Sequence, residues 1–252
     1  MPQIPMPPIE LRRSVGVEDV VYFENPHRML VFGEAVAPQH YRSVFDFGCG
    51  CGRIARQMML QLEQVPERFV GIDLYRPSIE WCTRHLSTLD SRFSFMHHDF
   101  YNAGLNPQGS KSLLPLPVFG SFSLVNAHSV FTHIIEDHAP FFFEQVARLV
   151  ADQGVFRVSW FLFDKSHFPM MQTFQNSLYI NTDDPTNAVI YDREFVKSLY
   201  RAAGLTIHRI EPPGIRGHQW LIYASRGLGL VECEFPDDSG VIGLARPPVS
   251  IS

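Results

Sequence analysis

The feature that most constrains this fold is a strand that runs directly into a glycine-rich turn, VFDFGCGCGR at residues 44–53. Glycine has no Cβ and tolerates positive φ, so the backbone can turn sharply and approach a ligand closely. The amide N–H groups at the start of the following helix point to the same place. Asp46 adds a carboxylate that favours an amine or a cation. The pattern predicts a strand–turn–helix that binds a cofactor.

A second acidic residue supports this interpretation. Residues 68–73, RFVGID, predict another strand, and it ends at Asp73. In a doubly wound sheet an acid at this position accepts hydrogen bonds from ribose hydroxyls. A nicotinamide-dependent oxidoreductase is the weaker alternative, because Arg53 stands where the last glycine of the dinucleotide motif is expected and Asp46 would repel a pyrophosphate. The sequence contains no P-loop motif for a nucleoside triphosphate.

Strand and helix patterns alternate through the middle of the chain, which predicts a parallel sheet with helices on both faces. Residues 102–117 are rich in Gly, Pro and Ser and predict a loop. The predicted elements are strands at 43–47, 68–73, 92–97, 121–127 and 154–162 and helices at 52–63, 77–88 and 137–150.

The two ends of the chain carry different patterns. The proline-rich start predicts a loose arm, followed by short helices at 10–22 and 27–37 that cover the cofactor edge. Residues 192–204 predict a helix, with Asp192 as N-cap and Gly204 just past its end. The connection between strands at 205–210 and 219–225 is too short for a crossover helix, so these strands are expected to be antiparallel.

Residues 41–226 resemble the class I (Rossmann-like) S-adenosylmethionine-dependent methyltransferases. The resemblance rests on the glycine turn together with FVGIDLY at 69–75, and FSFMHHDF at 93–100 and SLVNAHSVFTHI at 123–134 support it. It implies an α/β fold with a doubly wound, mostly parallel sheet and a C-terminal antiparallel hairpin strand. The implied organisation is an arm with cap helices at 1–40, a methyltransferase domain at 41–226 with an insert at 164–190, and a tail at 227–252.

The resemblance also implies S-adenosyl-L-methionine as the cofactor and a set of residues that bind it. Asp46 and the turn of Gly48, Cys49, Gly50 and Gly52 are expected to hold the methionine part. The remaining implied contacts are Asp73 for the ribose, Leu74 for the adenine face, Asp99 and Phe100 for the adenine amine and edge, and Asn126 and Ala127 beside the methionine carboxylate or the methyl group.

Histidines are the proton acceptors that titrate near neutral pH. His128 follows the fourth strand and is the first candidate for a base that faces the acceptor, with His133 on the next turn as the second; a structural role is the alternative for both. If His128 is the base, activity rises with pH through the histidine pKa. His167 and His218 are further candidates, and strand alternation requires one ring of the His97–His98 pair to point inward.

These residues favour methyl transfer to a small-molecule or glycan-like acceptor, with oxygen as the favoured atom. A non-catalytic cofactor-binding subunit is the alternative from another class; it would use the aromatic residues of the insert to bind a partner. The net charge of −5 and the scattered basic residues argue against a nucleic-acid partner.

The four cysteines have neither disulfide nor zinc spacing, so no metal site is predicted. No signal peptide and no apolar run long enough to cross a membrane are visible, which predicts a cytoplasmic protein without membrane contact. The tail at 227–252 and the insert leave a homodimer open.

Overall fold

The computed structural model describes residues 3–214, 217–227 and 229–236. Within these ranges, nine strands form one sheet in the order β3–β2–β1–β4–β5–β7–β6, and the pair β8–β9 joins it through β9 and β5. This arrangement confirms the predicted fold class. The strands are β1 Ser43–Phe47, β2 Arg68–Asp73, β3 Phe93–His97, β4 Phe122–Ala127, β5 Val150–Phe163, β6 Ser177–Tyr179, β7 Val189–Asp192, β8 Thr206–Glu211 and β9 Trp220–Ser225.

The strand order reverses between β1 and β4, and this reversal fixes where a ligand can bind. β1 pairs in parallel with both β2 and β4, and β4 pairs in parallel with β5. Loops that leave such neighbouring strands separate to opposite faces and open a crevice at their carboxyl ends. At the other edge, β9 is antiparallel to both β5 and β8, which confirms the predicted hairpin.

In the described part of the chain, five α-helices cover the two faces of the sheet. The N-cap prediction for α5 is confirmed, because the Asp192 carboxylate accepts a hydrogen bond from the Phe195 amide. Gly204 follows the helix with φ of 66°, in the left-handed region that such a helix end requires. The helices are α1 Ile9–Ser14, α2 Arg53–Met59, α3 Arg76–Cys82, α4 Ala139–Ala147 and α5 Arg193–Ala202, and one π-helical turn at Thr83–Ser87 extends α3.

The predicted helix at 27–37 is wrong, since only Gly33–Ala35 forms a short 3₁₀ turn there. Arg28 has a φ of 54°, which no α-helix accepts. The amides of Val31 and Phe32 donate to the Gln61 carbonyl oxygen and the Tyr41 hydroxyl rather than to helical carbonyls. Side-chain acceptors elsewhere in the protein therefore replace the helical hydrogen bonds.

Three other predicted helices are shorter than expected. The helix at 10–22 divides into α1 and a 3₁₀ turn at Val20–Phe23. The helices predicted at 52–63 and 137–150 are limited to the residues of α2 and α4. Strand β5 begins at Val150, where the helix at 137–150 was expected to end.

The proline-rich start is bound to α2, so the prediction of a loose arm is wrong for the described residues. The buried Arg56 guanidinium donates to the carbonyl oxygens of Ile4, Pro5 and Phe23 and pairs with the Glu24 carboxylate at 3.3 Å. A guanidinium presents five donors in a fixed fork, which suits several carbonyl acceptors at once. One side chain thus fastens two separate parts of the arm to the sheet domain.

The aromatic insert adds strands β6 and β7 beyond the end of β5, and these were absent from the predicted elements. The Glu136 carboxylate accepts hydrogen bonds from the Asn176 amide groups and the Ser177 hydroxyl. Closer to β7, Thr186 of the insert contacts the Asn102 side-chain amide and the His133 ring. The insert therefore runs along the carboxyl edge of the sheet, from the end of β5 to the loops that follow β4 and β3.

The contacts of Arg56 with the arm, here called the Arg56 clamp, give a direct prediction for the stability of the protein. Arg56→Ala leaves three carbonyl oxygens without their donor, and we expect it to lower the free energy of unfolding by about 2–4 kcal/mol. Chemical denaturation measures this loss. Arg84→Ala, which removes an exposed arginine, is the control and is expected to change stability by less than about 0.5 kcal/mol. Equal stability of the two variants would contradict the clamp.

Candidate cofactor and acceptor site

The glycine turn after β1 is held by β2 and covered by other parts of the chain. The amides of Gly48 and Cys49 both donate to the Ile72 carbonyl, and the Gly50 amide donates to the Asp73 carboxylate at 2.8 Å. These three N–H groups are therefore used within the protein. Gly50 has positive φ, and a Cβ there would overlap the Val15 side chain of the arm. A larger residue at position 50 would displace the arm.

Asp73 connects the turn to the start of α3. One carboxylate oxygen accepts from the Gly50 amide and the other from the Tyr75 amide, both at 2.8 Å. Burial raises the pKa of this carboxyl, and these hydrogen bonds oppose the rise. Each carboxylate oxygen can accept a further hydrogen bond, so the group retains acceptors for two hydroxyls.

A buried chain of three polar side chains crosses β1, β4 and β5 at one register. The Asn126 amide donates to the Asp46 carboxylate at 2.6 Å, and the Arg157 guanidinium donates to the Asn126 carbonyl oxygen at 2.8 Å. All three residues are at most 7 % exposed. The Arg157 guanidinium also lies 4.5 Å from the centre of the Phe32 ring, which favours the charge without water.

Arg157 is a functional candidate that the sequence interpretation missed. It stands in β5 between Phe156 and Val158, and both neighbours are fully buried. A charged residue within a strand that is buried on both sides is rare unless it is paired. A charged residue between apolar residues of a predicted strand is therefore the sequence feature that could have identified Arg157.

The charges around Asp46 form a compact zwitterionic site. Burial raises the pKa of Asp46 to about 6, while the Asn126 hydrogen bond and the charges of Arg53 and Arg157 oppose that rise. The cations Arg53 and Arg157 therefore accompany the Asp46 carboxylate near the carboxyl ends of β1 and β4. The arrangement can bind both an ammonium and a carboxylate group, the two charges of an amino acid.

His128 follows β4 and lines a cleft of about 410 Å³ at the same edge of the sheet. Burial and the nearby charges of Arg157 and Arg53 lower the pKa of His128 to about 3. A ring with this pKa stays neutral in the physiological range and is a weak proton acceptor there. The expected rise of activity through an ordinary histidine pKa therefore does not follow from this geometry.

The connection between β8 and β9 forms the other wall of the cleft, through Pro213, Gly214, His218 and Gln219. The Gln219 side chain is fixed from below, because its carbonyl oxygen accepts hydrogen bonds from the hydroxyls of Ser129 and Ser159. A volume of this size is typical of small-molecule sites.

The remaining predicted residues occupy different places. Leu74 is half-buried and its carbonyl contacts the His97 ring; Asp99 is exposed and accepts from the Asn106 amide at 3.0 Å. The Phe100 ring packs edge-to-face on Phe142 with centroids 4.9 Å apart. Cys49, Gly52 and Ala127 lie in the turn or at the end of β4; Cys49 and Ala127 are buried, as is His98, the inward ring of its pair.

His133 lies outside the cleft that His128 lines. Its Nδ1 is 2.9 Å from the Thr186 carbonyl oxygen of the insert. The ring therefore links the loop after β4 to the insert, and none of the residues that line the cleft is in this contact.

Within the described residues, no group of three or more His, Cys, Asp or Glu side chains has a metal-binding arrangement. The same part of the chain contains no helix with the length and apolar character needed to cross a membrane. The thiols of Cys49, Cys51 and Cys82 are free and buried, and burial raises the pKa of each.

Comparison with known proteins shows which fold this chain shares. Residues 45–156, which include the glycine turn, Asp73, Asn126 and the first part of β5, match the family model described as a methyltransferase domain. The chain has the fold of the class I S-adenosylmethionine-dependent methyltransferases.

Solved structures share the fold at low sequence identity. An O-methyltransferase family protein from Burkholderia thailandensis is 16% identical with a TM-score of 0.52; the match covers 88% of this chain and 57% of that one. A TehB-like methyltransferase from Corynebacterium glutamicum is 13% identical with a TM-score of 0.50, over 86% of this chain and 92% of that one. An O-methyltransferase of neocarzinostatin biosynthesis is 13% identical with a TM-score of 0.51, over 78% of this chain and 52% of that one.

The electrostatics of His128 give the prediction for this site. In histidine-labelled protein, we expect the His128 ring to remain neutral from pH 8 down to pH about 5, because burial and two arginines oppose its positive charge. NMR titration measures this, with His128→Gln used to assign the signal. A midpoint between pH 6 and pH 7 would contradict the described environment.

Proposed function

We propose that this protein is a class I methyltransferase that transfers a methyl group from S-adenosylmethionine to an oxygen atom of a small-molecule acceptor held in the cleft beside His128. The observation that carries the proposal is the adjacency of two sites at the carboxyl edge of the sheet. The zwitterionic cluster of Asp46, Arg53 and Arg157 suits an amino acid moiety, and the cleft lies next to it, since both arginines act on His128.

The proposed binding mode uses the charges of the site. Asp46 would bind the methionine ammonium, and Arg53 would bind the methionine carboxylate near Asn126 and Ala127. Asp73 would accept the ribose hydroxyls beside Gly48 and Gly50, and the adenine would lie between Leu74 and the Asp99–Phe100 segment. The sulfonium would then face the cleft, and orientation supplies much of the rate of such a reaction.

The acceptor size follows from the cleft. Its volume of about 410 Å³ suits a small molecule, and a larger attached group such as a glycan would lie beside the wall formed by Pro213, Gly214, His218 and Gln219. The structural relatives include O-methyltransferases, and one of them was crystallised with S-adenosylmethionine and 2-hydroxy-5-methyl naphthoic acid. The cytoplasmic location and a homodimer remain predictions.

Cofactor binding and turnover test the proposal together. We expect S-adenosylmethionine and S-adenosylhomocysteine to raise the melting temperature and NAD to leave it unchanged. With a pool of small metabolites, the protein should form S-adenosylhomocysteine faster than its boiled control. Binding without turnover would favour the non-catalytic subunit, and stabilisation by NAD alone would contradict the cofactor.

The raised pKa of Asp46 predicts how cofactor affinity depends on pH. The ammonium requires the ionised carboxylate, so affinity should be constant above pH 7 and should fall up to about tenfold per pH unit below pH 6. Calorimetry between pH 5 and pH 8 measures this. The Asp46→Asn variant should bind the cofactor more weakly and without that pH dependence. If the affinity of both proteins fell with pH at the same slope, the pH dependence would belong to another group.

A further inference from the structure

The residues that line the cleft offer hydrogen bonds and no negative charge. His128, His218 and Gln219 are its polar residues, and Pro213 and Gly214 complete it. None of these described lining residues is acidic. A group that enters this cleft therefore meets neutral rings, one amide and apolar surface.

The charged groups that act on His128 are mainly positive. Arg53 reaches it from α2 and Arg157 from β5, and both disfavour a positive ring. The two acids of the cluster are Asp46 on β1, whose carboxylate is bonded to Asn126, and Asp73 on β2, whose charge acts on Asp46. The charges that act on His128 are those of the two guanidinium groups, and the proposed sulfonium adds another positive charge. This field favours an anion.

The hydrogen bonding of His128 assigns its proton. Nδ1 is buried and has no hydrogen-bond partner among the described residues. A buried N–H without an acceptor is costly, whereas a bare ring nitrogen costs less, so we assign the proton of the neutral ring to Nε2. Since His128 lines the cleft, Nε2–H is a donor to whatever binds there and is not a base.

The wall behind His128 is rigid. Ser129 has φ of 58°, in the left-handed region that serine rarely adopts. Its amide donates to the Ser159 hydroxyl at 2.7 Å, and its hydroxyl bonds to the Gln219 side chain. These contacts join the loop after β4 to β5 and to the residue before β9, next to His128.

We propose that the acceptor atom is a carboxylate oxygen of a small apolar acid, held by the Nε2–H of His128 and methylated to an ester without a general base. This inference rests on the proposed function. The carboxylate oxygen attacks the methyl carbon, the O–C bond forms as the S–C bond breaks, and the electron pair remains on the sulfur of S-adenosylhomocysteine. The acid is already ionised, so no proton is transferred.

Binding to the full chain loaded with S-adenosylhomocysteine tests the inference. At pH 7, calorimetry should give at least about tenfold tighter binding for 2-naphthoate than for 2-naphthamide, a neutral molecule of nearly the same shape. Equal affinities, tighter amide binding or no binding of 2-naphthoate would each overturn the inference. A protein that fails to bind S-adenosylhomocysteine would instead contradict the proposed function.

Variants separate a hydrogen-bond donor from a base. His128→Gln keeps a neutral N–H donor and should retain the preference for the acid, whereas His128→Leu should lose it; His27→Ala, on the exposed arm, is the matched control. With methyl-labelled cofactor, the methyl ester formed from 2-naphthoate should release labelled methanol when it is treated with alkali. The rate of the methylation reaction itself should not change between pH 6 and pH 9. Faster turnover of 2-naphthylmethanol than of 2-naphthoate would overturn the inference. If neither compound is methylated, the ratio of their binding constants decides.

Discussion

The buried hydrogen bonds that join Asp46, Asn126 and Arg157 are the interaction on which the site depends. They connect β1, β4 and β5 at the point where the strand order reverses, and they bring three polar groups into a sheet that is otherwise apolar there. Each member is hydrogen-bonded to the next, which lowers the cost of burying these polar groups. The removal of any one would leave a buried charge or amide without its partner.

Two peripheral segments complete the site around these three hydrogen-bonded side chains. The arm is held on α2 by Arg56, and it places Val15 against the Gly50 turn and Phe32 against Arg157. The insert, held by Glu136, extends the sheet beyond β5 along the carboxyl edge. The first segment covers the glycine turn, and the second follows the side of the loops after β3 and β4. The central sheet therefore carries the charges, and the additions shape access to them.

Local patterns were sufficient for most of the fold. Alternating apolar strands, the glycine turn and the Asp192 and Gly204 helix signals predicted the sheet, its hairpin and α5, because each depends on residues close in sequence. The region at 27–37 was misassigned because its amides bind Gln61 and Tyr41, which are distant in sequence. Strands β6 and β7 were missed since they are short and their partners lie on β5 and the Glu136 loop.

The candidate site was predictable in part for the same reason. The motif identified the region around Asp46 and Asp73, but the role of Arg157 depends on strand pairing across β4 and β5. The neutral state of His128 depends on burial and on two arginines from different elements, which no local pattern encodes.

In the proposed complex, the cofactor lies at the β1–β4 crevice with its sulfur directed to the His128 cleft. A crystal structure of the complex with S-adenosylhomocysteine tests this most directly. We expect the amino acid group beside Asp46 and Arg53, the ribose on Asp73, and the sulfur nearer to His128 than to His133. A ligand bound outside the glycine turn, or with its ribose at Asp46, would contradict it.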